Sequence, residues 1–343
     1  LFDKSFILAI IKHTFQGVIF YKKEIQSGFG NASLSWKSML YLDVTGRNTD
    51  FHVVCVQHGL SVQKIALAQQ RLRDNTRLYF CASKYEIENL SKPVYNYIGY
   101  DALKLTGVPR YDGLVNRNQK QILISPTWRM QSALLVSKNE GVARDYNPNF
   151  KETEYFKVYN SLINDRRLIQ AAKEYGYKIA YVLHPIVSPQ AEDFDKNEYV
   201  EIIPSTGEMS YEKLFCESSL MVTDYSGVQF DFAYLRKPLI YHHHRDLEAH
   251  YEEGTFHYDT MAFGEITHDN DELIDLLIDY MQHDCVMKEK YRKRADDFFA
   301  FNDNNNCQRI YDVMIDYHAD VQSGQVAVDG LVQVIHIVLQ AVI

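Results

Sequence analysis

Met221-Val222-Thr223-Asp224-Tyr225-Ser226-Gly227-Val228-Gln229-Phe230-Asp231-Phe232-Ala233 joins an apolar run to a polar turn and then to a segment with helical spacing. A strand that hands its carboxyl end to a helix amino terminus reads this way. Such a junction presents unpaired backbone N–H groups and the positive end of a helix dipole, which suits a phosphate. Thr223 and Ser226 add hydroxyls, and Asp224 and Asp231 add carboxylates. That is more polar equipment than a cap and a glycine require. Within it, Asp224 reads as a helix cap, whereas Ser226 and Asp231 carry the better functional case.

The same grammar repeats on either side of this stretch. Strand-like runs occupy Phe51 to Gln57, Leu78 to Ala82, Gln121 to Ser125, Lys178 to Leu183, Tyr199 to Ile203, Leu220 to Thr223 and Pro238 to Tyr241. Helical spacing lies between them, at Glu152 to Tyr175, Asp271 to Gln282 and Lys288 to Phe301. Alternating strands and helices predict an α/β protein with parallel sheets. The polar stretch from Tyr111 to Lys120 is the expected boundary between two doubly wound units, residues 1–115 and 116–318. The first looks incomplete, with only two clear strands. Residues 319–343 form an apolar tail, and the stretch from Leu331 to Ile343 is shorter than the roughly 20 residues that cross a bilayer.

Composition narrows the function classes. The chain has 343 residues, 46% of them hydrophobic and 24% charged, which are globular values. A net charge of −9, from 45 acidic and 36 basic residues, argues against nucleic acid as a partner. The five cysteines form no C-x-x-C pair, and three of them sit in apolar runs, which reads as reduced core residues in a cytosolic setting. The chain opens on Leu1 and so reads as part of something longer; no signal peptide is evident. The P-loop, dinucleotide and nucleophile-elbow motifs are absent. His242-His243-His244 reads as a solvated run rather than a metal site, because neighbours on a strand face opposite ways. Asp193-Phe194-Asp195 and Asp269-Asn270-Asp271 fall in polar loops and are discounted as metal sites.

In open α/β sheets ligands bind beyond the carboxyl ends of strands. Polar clusters close four of the expected strands: Gln57-His58-Gly59, Ser125-Pro126-Thr127-Trp128-Arg129, His184-Pro185 and Thr223-Asp224-Tyr225-Ser226. A histidine at such an end, His58 or His184, can take a proton from a hydroxyl nucleophile, or it can cap the next helix. Arg110 and Arg129 each offer a fork that matches phosphate oxygens, or an ordinary salt bridge between domains. Pro126 and Thr127 offer a fixed backbone and a hydroxyl, and Asp231 can hold a ligand hydroxyl.

With these residues in view, the chain resembles the CDP-glycerol glycerophosphotransferase family, the teichoic-acid primases and polymerases of bacteria. The matching motifs run in order: Gln57-His58-Gly59-Leu60, Thr106-Gly107-Val108-Pro109-Arg110, Ser125 to Arg129, Leu183-His184-Pro185, Thr223 to Phe232, and Lys237-Pro238-Leu239-Ile240-Tyr241. The resemblance implies a GT-B-like fold of two Rossmann-type domains with an interdomain cleft and the donor in the carboxyl-terminal domain. It implies transfer of glycerol phosphate from CDP-glycerol to a hydroxyl of a lipid-linked or growing wall or capsule polymer, with release of CMP. It also implies a peripheral place on the cytoplasmic membrane face, no cofactor and no metal. Residue by residue, His58 would be the base, with His184 also catalytic. Gln57, Gly59, Arg110, Pro126, Thr127, Arg129, Ser226, Gly227 and Asp231 would line the substrate site. Two departures stand out: Gly227 where the family often has a second serine, and Gln57 where it often has an aromatic residue. CDP-ribitol is therefore an alternative donor. A nucleotide-sugar GT-B transferase and a non-catalytic module of a wall-polymer complex are the alternative functions.

Overall fold

The computed structural model describes residues 51–56, 59–63, 76–134, 145–205, 209–249, 252, 254–322 and 334–338. They form two compact units. The first takes the described residues within 1–113, 252–257 and 298–342, and the second those within 114–251 and 258–297. Where the sequence suggested two successive stretches, the chain instead returns to the first unit twice.

In the first unit, β1 (Phe51–Cys55), β2 (Thr76–Cys81), β3 (Leu103–Leu105) and β10 (Val334–Val338) form a parallel sheet in the order β10-β1-β2-β3. Beyond the two strands expected, β3 is only three residues long and β10 comes from the apolar tail. Neither carries a period-2 pattern long enough to read. The long helix α9 (Asn306–Gln322) explains why this late stretch of chain belongs here. Its Cys307, Ile310 and Met314 pack on Val54, Leu78 and Phe80. Helix α1 (Lys84–Leu90) opens with a capping box between Ser83 and Glu86. The buried Glu86 carboxylate also accepts from the N–H groups of Ser61 at 2.8 Å and Ala82 at 2.6 Å. Asn89 Nδ2 donates to the carbonyls of Ser61 and Gln63, both at 2.9 Å. Together they fix the backbone that follows the Gln57-His58 pair.

The second unit holds β4 (Gln121–Ile124), β5 (Lys178–Val182), β6 (Val200–Ile203), β7 (Ser218–Thr223), β8 (Leu239–His242) and β9 (Gly264–Thr267). They lie in the order β6-β5-β4-β7-β8-β9, and every pairing is parallel. The chain therefore winds outward from β4 through β5 and β6, then crosses back to β7 and continues to β9. The reversal between β4 and β7 is a topological switch point, where open α/β sheets leave a crevice.

The stretch expected as one helix from Glu152 is two, α2 (Glu154–Ile163) and α3 (Arg166–Tyr175). Asp165 breaks it by capping α3, accepting from the N–H of Arg167 at 2.8 Å and of Leu168 at 3.3 Å. Helix α3 stops at Gly176, in the left-handed conformation at φ 73°. The remaining helices are α4 (Tyr211–Glu217), α5 (Val228–Tyr234), α6 (Tyr258–Met261), α7 (Asn270–Gln282) and α8 (Glu289–Phe298). Side chains of α2, α3 and α7 bury against Ile122, Ile124, Ile179 and Tyr181 to make the larger core. None of the five cysteines forms a disulfide, and Cys81, Cys216, Cys285 and Cys307 are buried. Among the described residues no helix is long and apolar enough to cross a membrane.

Candidate functional site

Because all six strands of the second sheet are parallel, their carboxyl ends share one edge. Three of the four strand-end clusters of the sequence lie there, joined by a histidine that the sequence had set aside. Ser125–Arg129 follows β4, His184 follows β5 after one residue, Asp224–Gly227 follows β7, and His243 follows β8. The two clusters flanking the switch point are tied to each other. Thr223 Oγ1 donates to the Ser125 carbonyl at 2.8 Å. Asp224, fully buried, accepts on Oδ1 from Thr127 N–H at 2.9 Å, Thr127 Oγ1 at 2.7 Å and Tyr225 N–H at 2.7 Å. Its Oδ2 lies 2.9 Å from Arg129 Nη2, and both side chains are nearly out of water.

This arrangement revises two expectations. Asp224 does not cap the following helix. Gly227 occupies the N-cap position of α5, with no side-chain cap, and the Asp224 carboxylate instead joins the β4 and β7 loops. Arg129 does not bridge domains, since its partners lie in the same unit. It donates from Nε to the Glu248 carbonyl at 2.7 Å and from Nη1 to the Thr127 carbonyl at 2.7 Å, besides the Asp224 contact. Burial alone would depress the charge of this guanidinium, but Asp224 more than offsets that and its pKa is raised. The fork is spent on the protein and acts as a strut.

The site's working surface is what this strut supports. Pro126 and Thr127 are buried beside the turn. Ser226 is half-buried and Gly227 exposed, while Asp231 is buried in the first turn of α5. That helix has only seven residues, so its dipole is short and the side chains of the turn carry more of the anion-binding case than the sequence led us to expect. His184 is half-buried, with its ring 6.3 Å from the Trp128 ring. Its Nδ1 accepts from the Ile186 N–H at 3.2 Å. The neutral ring therefore carries its proton on Nε2, as a hydrogen-bond donor.

Of the residues expected on the first unit, Arg110 is buried in a short 3-10 turn, with its guanidinium 5.1 Å from the Tyr111 ring. Gly59 is half-buried, and a Cβ added there would meet no atom of the described residues within 4 Å. Gln57 and His58 lie outside the described residues. Gly227 has φ −61°, ordinary for any residue, and open space around its Cβ position. Gly227→Ser should therefore shift the free energy of unfolding by no more than ~0.5 kcal/mol in urea titration. A loss above ~1 kcal/mol would mean the backbone there needs glycine.

The histidine run corrects the sequence reading most plainly. It is not a solvated tract: His242 and His244 are buried and His243 half-buried. His242 Nε2 meets Asn270 Oδ1 at 3.0 Å and its Nδ1 meets Thr267 Oγ1 at 3.0 Å. Asn270 Oδ1 can only accept, so Nε2 carries the proton and Nδ1 is the acceptor. Burial pulls the His242 pKa from 6.5 down to about 4. The unfolded chain then binds more protons in this window. Stability is full above pH ~6.5 and falls as pH drops toward about 4. The His242 share of the loss between pH 7 and 4.5 is about 2–3 kcal/mol. His242→Gln should flatten the pH dependence of the urea midpoint over that range, and an unchanged slope would refute the assignment. Among the described residues no cluster of His, Cys, Asp or Glu is arranged to hold a metal ion.

Comparison with known proteins fits this geometry. Residues 34–316 match the family described as CDP-glycerol:poly(glycerophosphate) glycerophosphotransferase. The minor teichoic acid biosynthesis protein GgaB of Bacillus subtilis (strain 168) is 40% identical over 268 residues, 78% of this chain and 29% of that protein. The teichoic acid glycerol-phosphate primase of the same strain is 21% identical over 234 residues, 68% of this chain and 56% of that protein. The chain thus spans well under two thirds of these relatives. The solved wall teichoic acid polymerase TagF superposes with a TM-score of 0.53 at 18% identity, covering 78% of this chain and 67% of that one. At that identity the likeness speaks to fold, which is α/β and GT-B-like. With most of its length inside the family match, the chain belongs to the CDP-glycerol:poly(glycerophosphate) glycerophosphotransferase family.

Proposed function

We propose that the chain carries a transferase domain that moves glycerol phosphate from CDP-glycerol to a hydroxyl of a lipid-linked or growing poly(glycerol phosphate), wall or capsule polymer, releasing CMP. The observation that carries this reading is the buried Thr127–Asp224–Arg129 tie across the switch point. It fixes the start of the Ser226-Gly227 turn after β7, and His184 after β5 lies on the same edge of the sheet. In the reaction, the acceptor oxygen bonds to the β-phosphorus while the bond from that phosphorus to the bridging oxygen breaks. CMP leaves with the electron pair, and the hydroxyl proton passes to His58, the base proposed from its motif. Charge builds on the phosphoryl oxygens, where fixed donors are most useful. His184 Nε2–H, Ser226 Oγ and the N–H groups of the turn supply them in the second unit, and Arg110 is the cation proposed from the first. Asp231 is assigned to a donor hydroxyl, Pro126 and Thr127 to the site wall, and Gln57 and Gly59 to the backbone around the base. Arg129 acts through Asp224. Action at the cytoplasmic membrane face, as a peripheral protein, follows from a lipid-linked acceptor.

CDP-ribitol is the second donor to test, since Gly227 lacks the hydroxyl that the family resemblance led us to expect there. CMP release should be measured from both donors, with and without lipid acceptor, using wild type and His58→Ala. Release from CDP-glycerol that depends on acceptor and is lost by about 10²-fold or more in folded His58→Ala supports the proposal. Release unchanged by that substitution contradicts the proposed base, and no release from either donor points to a non-catalytic module.

A further inference from the structure

His243 follows β8, the strand next to β7, and stands against the donor turn. Its ring lies flat on the Tyr225 ring, 4.1 Å between centroids at 13°. Its Nε2 is 3.4 Å from the Asp224 carbonyl oxygen, which can only accept, so Nε2 carries the proton. Tyr258 of α6 stands edge-on to both rings, 4.8 Å from His243 and 5.7 Å from Tyr225. Its hydroxyl donates to the same Asp224 carbonyl at 3.3 Å and accepts from Gln229 Nε2, in the first turn of α5, at 2.9 Å.

We propose that His243 and Tyr258 are positioning residues for the donor turn, clamping the Asp224 carbonyl and the Tyr225 ring so that Ser226 and Gly227 are held ready for the donor phosphates. The inference rests on the donor site proposed above. The β4 loop holds the Asp224 carboxylate, through Thr127 and Arg129, while β8 and α6 hold its carbonyl. A turn fixed from both sides loses little freedom when a ligand arrives, and that saving appears as affinity. Edge-to-face and stacked rings add directional packing to the two hydrogen bonds. Burial draws the His243 pKa down to about 4, against the pull of Asp224 and with His268 and Arg129 opposing a further positive charge. The ring is therefore a neutral N–H donor under ordinary conditions.

The test is calorimetric titration of the chain with CDP-glycerol, comparing wild type, His243→Phe, Tyr258→Phe and the double variant. Each substitution keeps an aromatic ring and removes one donor to the Asp224 carbonyl. The expected result is a Kd raised roughly fivefold by either change and by roughly twentyfold or more by both, at a temperature where every variant is folded. In turnover, KM for the donor rises while kcat stays within about twofold, a split that general loosening of the fold would not produce. Folded variants that bind CDP-glycerol as wild type does would overturn the inference while leaving the donor reading intact. Wild type that binds no CDP-glycerol would overturn the donor reading itself. Should His243→Phe fail to fold, Tyr258→Phe decides alone.

Discussion

Asp224→Ala lowers the stability of the second unit by about 3–5 kcal/mol, the cost of leaving a buried charge without its partner. The carboxylate accepts three hydrogen bonds on Oδ1 and contacts the Arg129 guanidinium on Oδ2, at a position too buried for bulk water to replace them. Its removal strands the Arg129 cation and leaves the Thr127 hydroxyl and two backbone N–H groups unpaired. Asp224→Asn isolates the electrostatic part. The amide oxygen still accepts from Thr127, but the buried cation loses its counter-charge. We expect it to fall between wild type and alanine, by about 2–3 kcal/mol. Urea unfolding at pH 7 measures both. A loss under ~1 kcal/mol for Asp224→Ala would show that the strut carries no weight. The same variants should lose donor affinity, because the Ser226-Gly227 turn hangs from the Asp224 peptide.

Lys237→Met should cost nearly as much, on the order of 3–4 kcal/mol. Lys237 belongs to the Lys-Pro-Leu-Ile-Tyr motif, yet its role is structural. Its buried Nζ donates to the carbonyls of Phe215 at 2.9 Å, Cys216 at 2.7 Å and Ser218 at 2.6 Å. These are the last carbonyls of α4 and the first of β7, at the negative end of the helix dipole. Burial lowers the lysine's pKa to about 8, which leaves it an ammonium with all three donors in use at pH 7. Methionine matches the stem but leaves three buried carbonyls without a donor. Lys237→Arg should not rescue, since a planar fork cannot reproduce three converging bonds. Donor affinity of the folded variant should stay near wild type, because the lysine lies at the opposite end of β7 from the Asp224 turn. Equal stability of Lys237→Met and wild type in urea would refute this account.

The seven strands expected from the sequence all exist, with ends shifted by a residue or two. Each is a run rich in β-branched, aromatic or other apolar residues bounded by turn signals, and in β2, β4, β5, β7 and β8 burial of nearly every residue makes that run continuous. Gly264–Thr267 escaped notice because a glycine and a glutamate occupy half of a four-residue strand. That glycine is required by packing, since a Cβ there would collide with the Leu239 carbonyl oxygen of β8. The helix α9 was not among the expected ones, and its return to the first sheet was hidden too, because apolar spacing does not say which sheet a helix covers.

At the site, the strand-end clusters were legible because the chemistry of parallel sheets puts ligands there. The partners within the clusters were not. An aspartate after a strand caps helices in so many proteins that only the folded chain reveals Asp224 reaching back to Thr127 and Arg129. Three histidines in a row look like a solvated tract until Thr267 and Asn270 are seen to satisfy His242, and Tyr225 to cover His243. The one sequence signal available was position: His243 comes just after the carboxyl end of the strand that follows the turn.

The central claim is that the carboxyl edge of the second sheet is a CDP-glycerol site, and thermal unfolding of the chain with added nucleotide tests it most directly. Ligand at about 100 times its Kd adds about 2.7 kcal/mol to the folded state. A clear rise in midpoint is expected with CDP-glycerol, and a much smaller one with UDP-N-acetylglucosamine at the same concentration. An equal or larger rise with the UDP-sugar would contradict it.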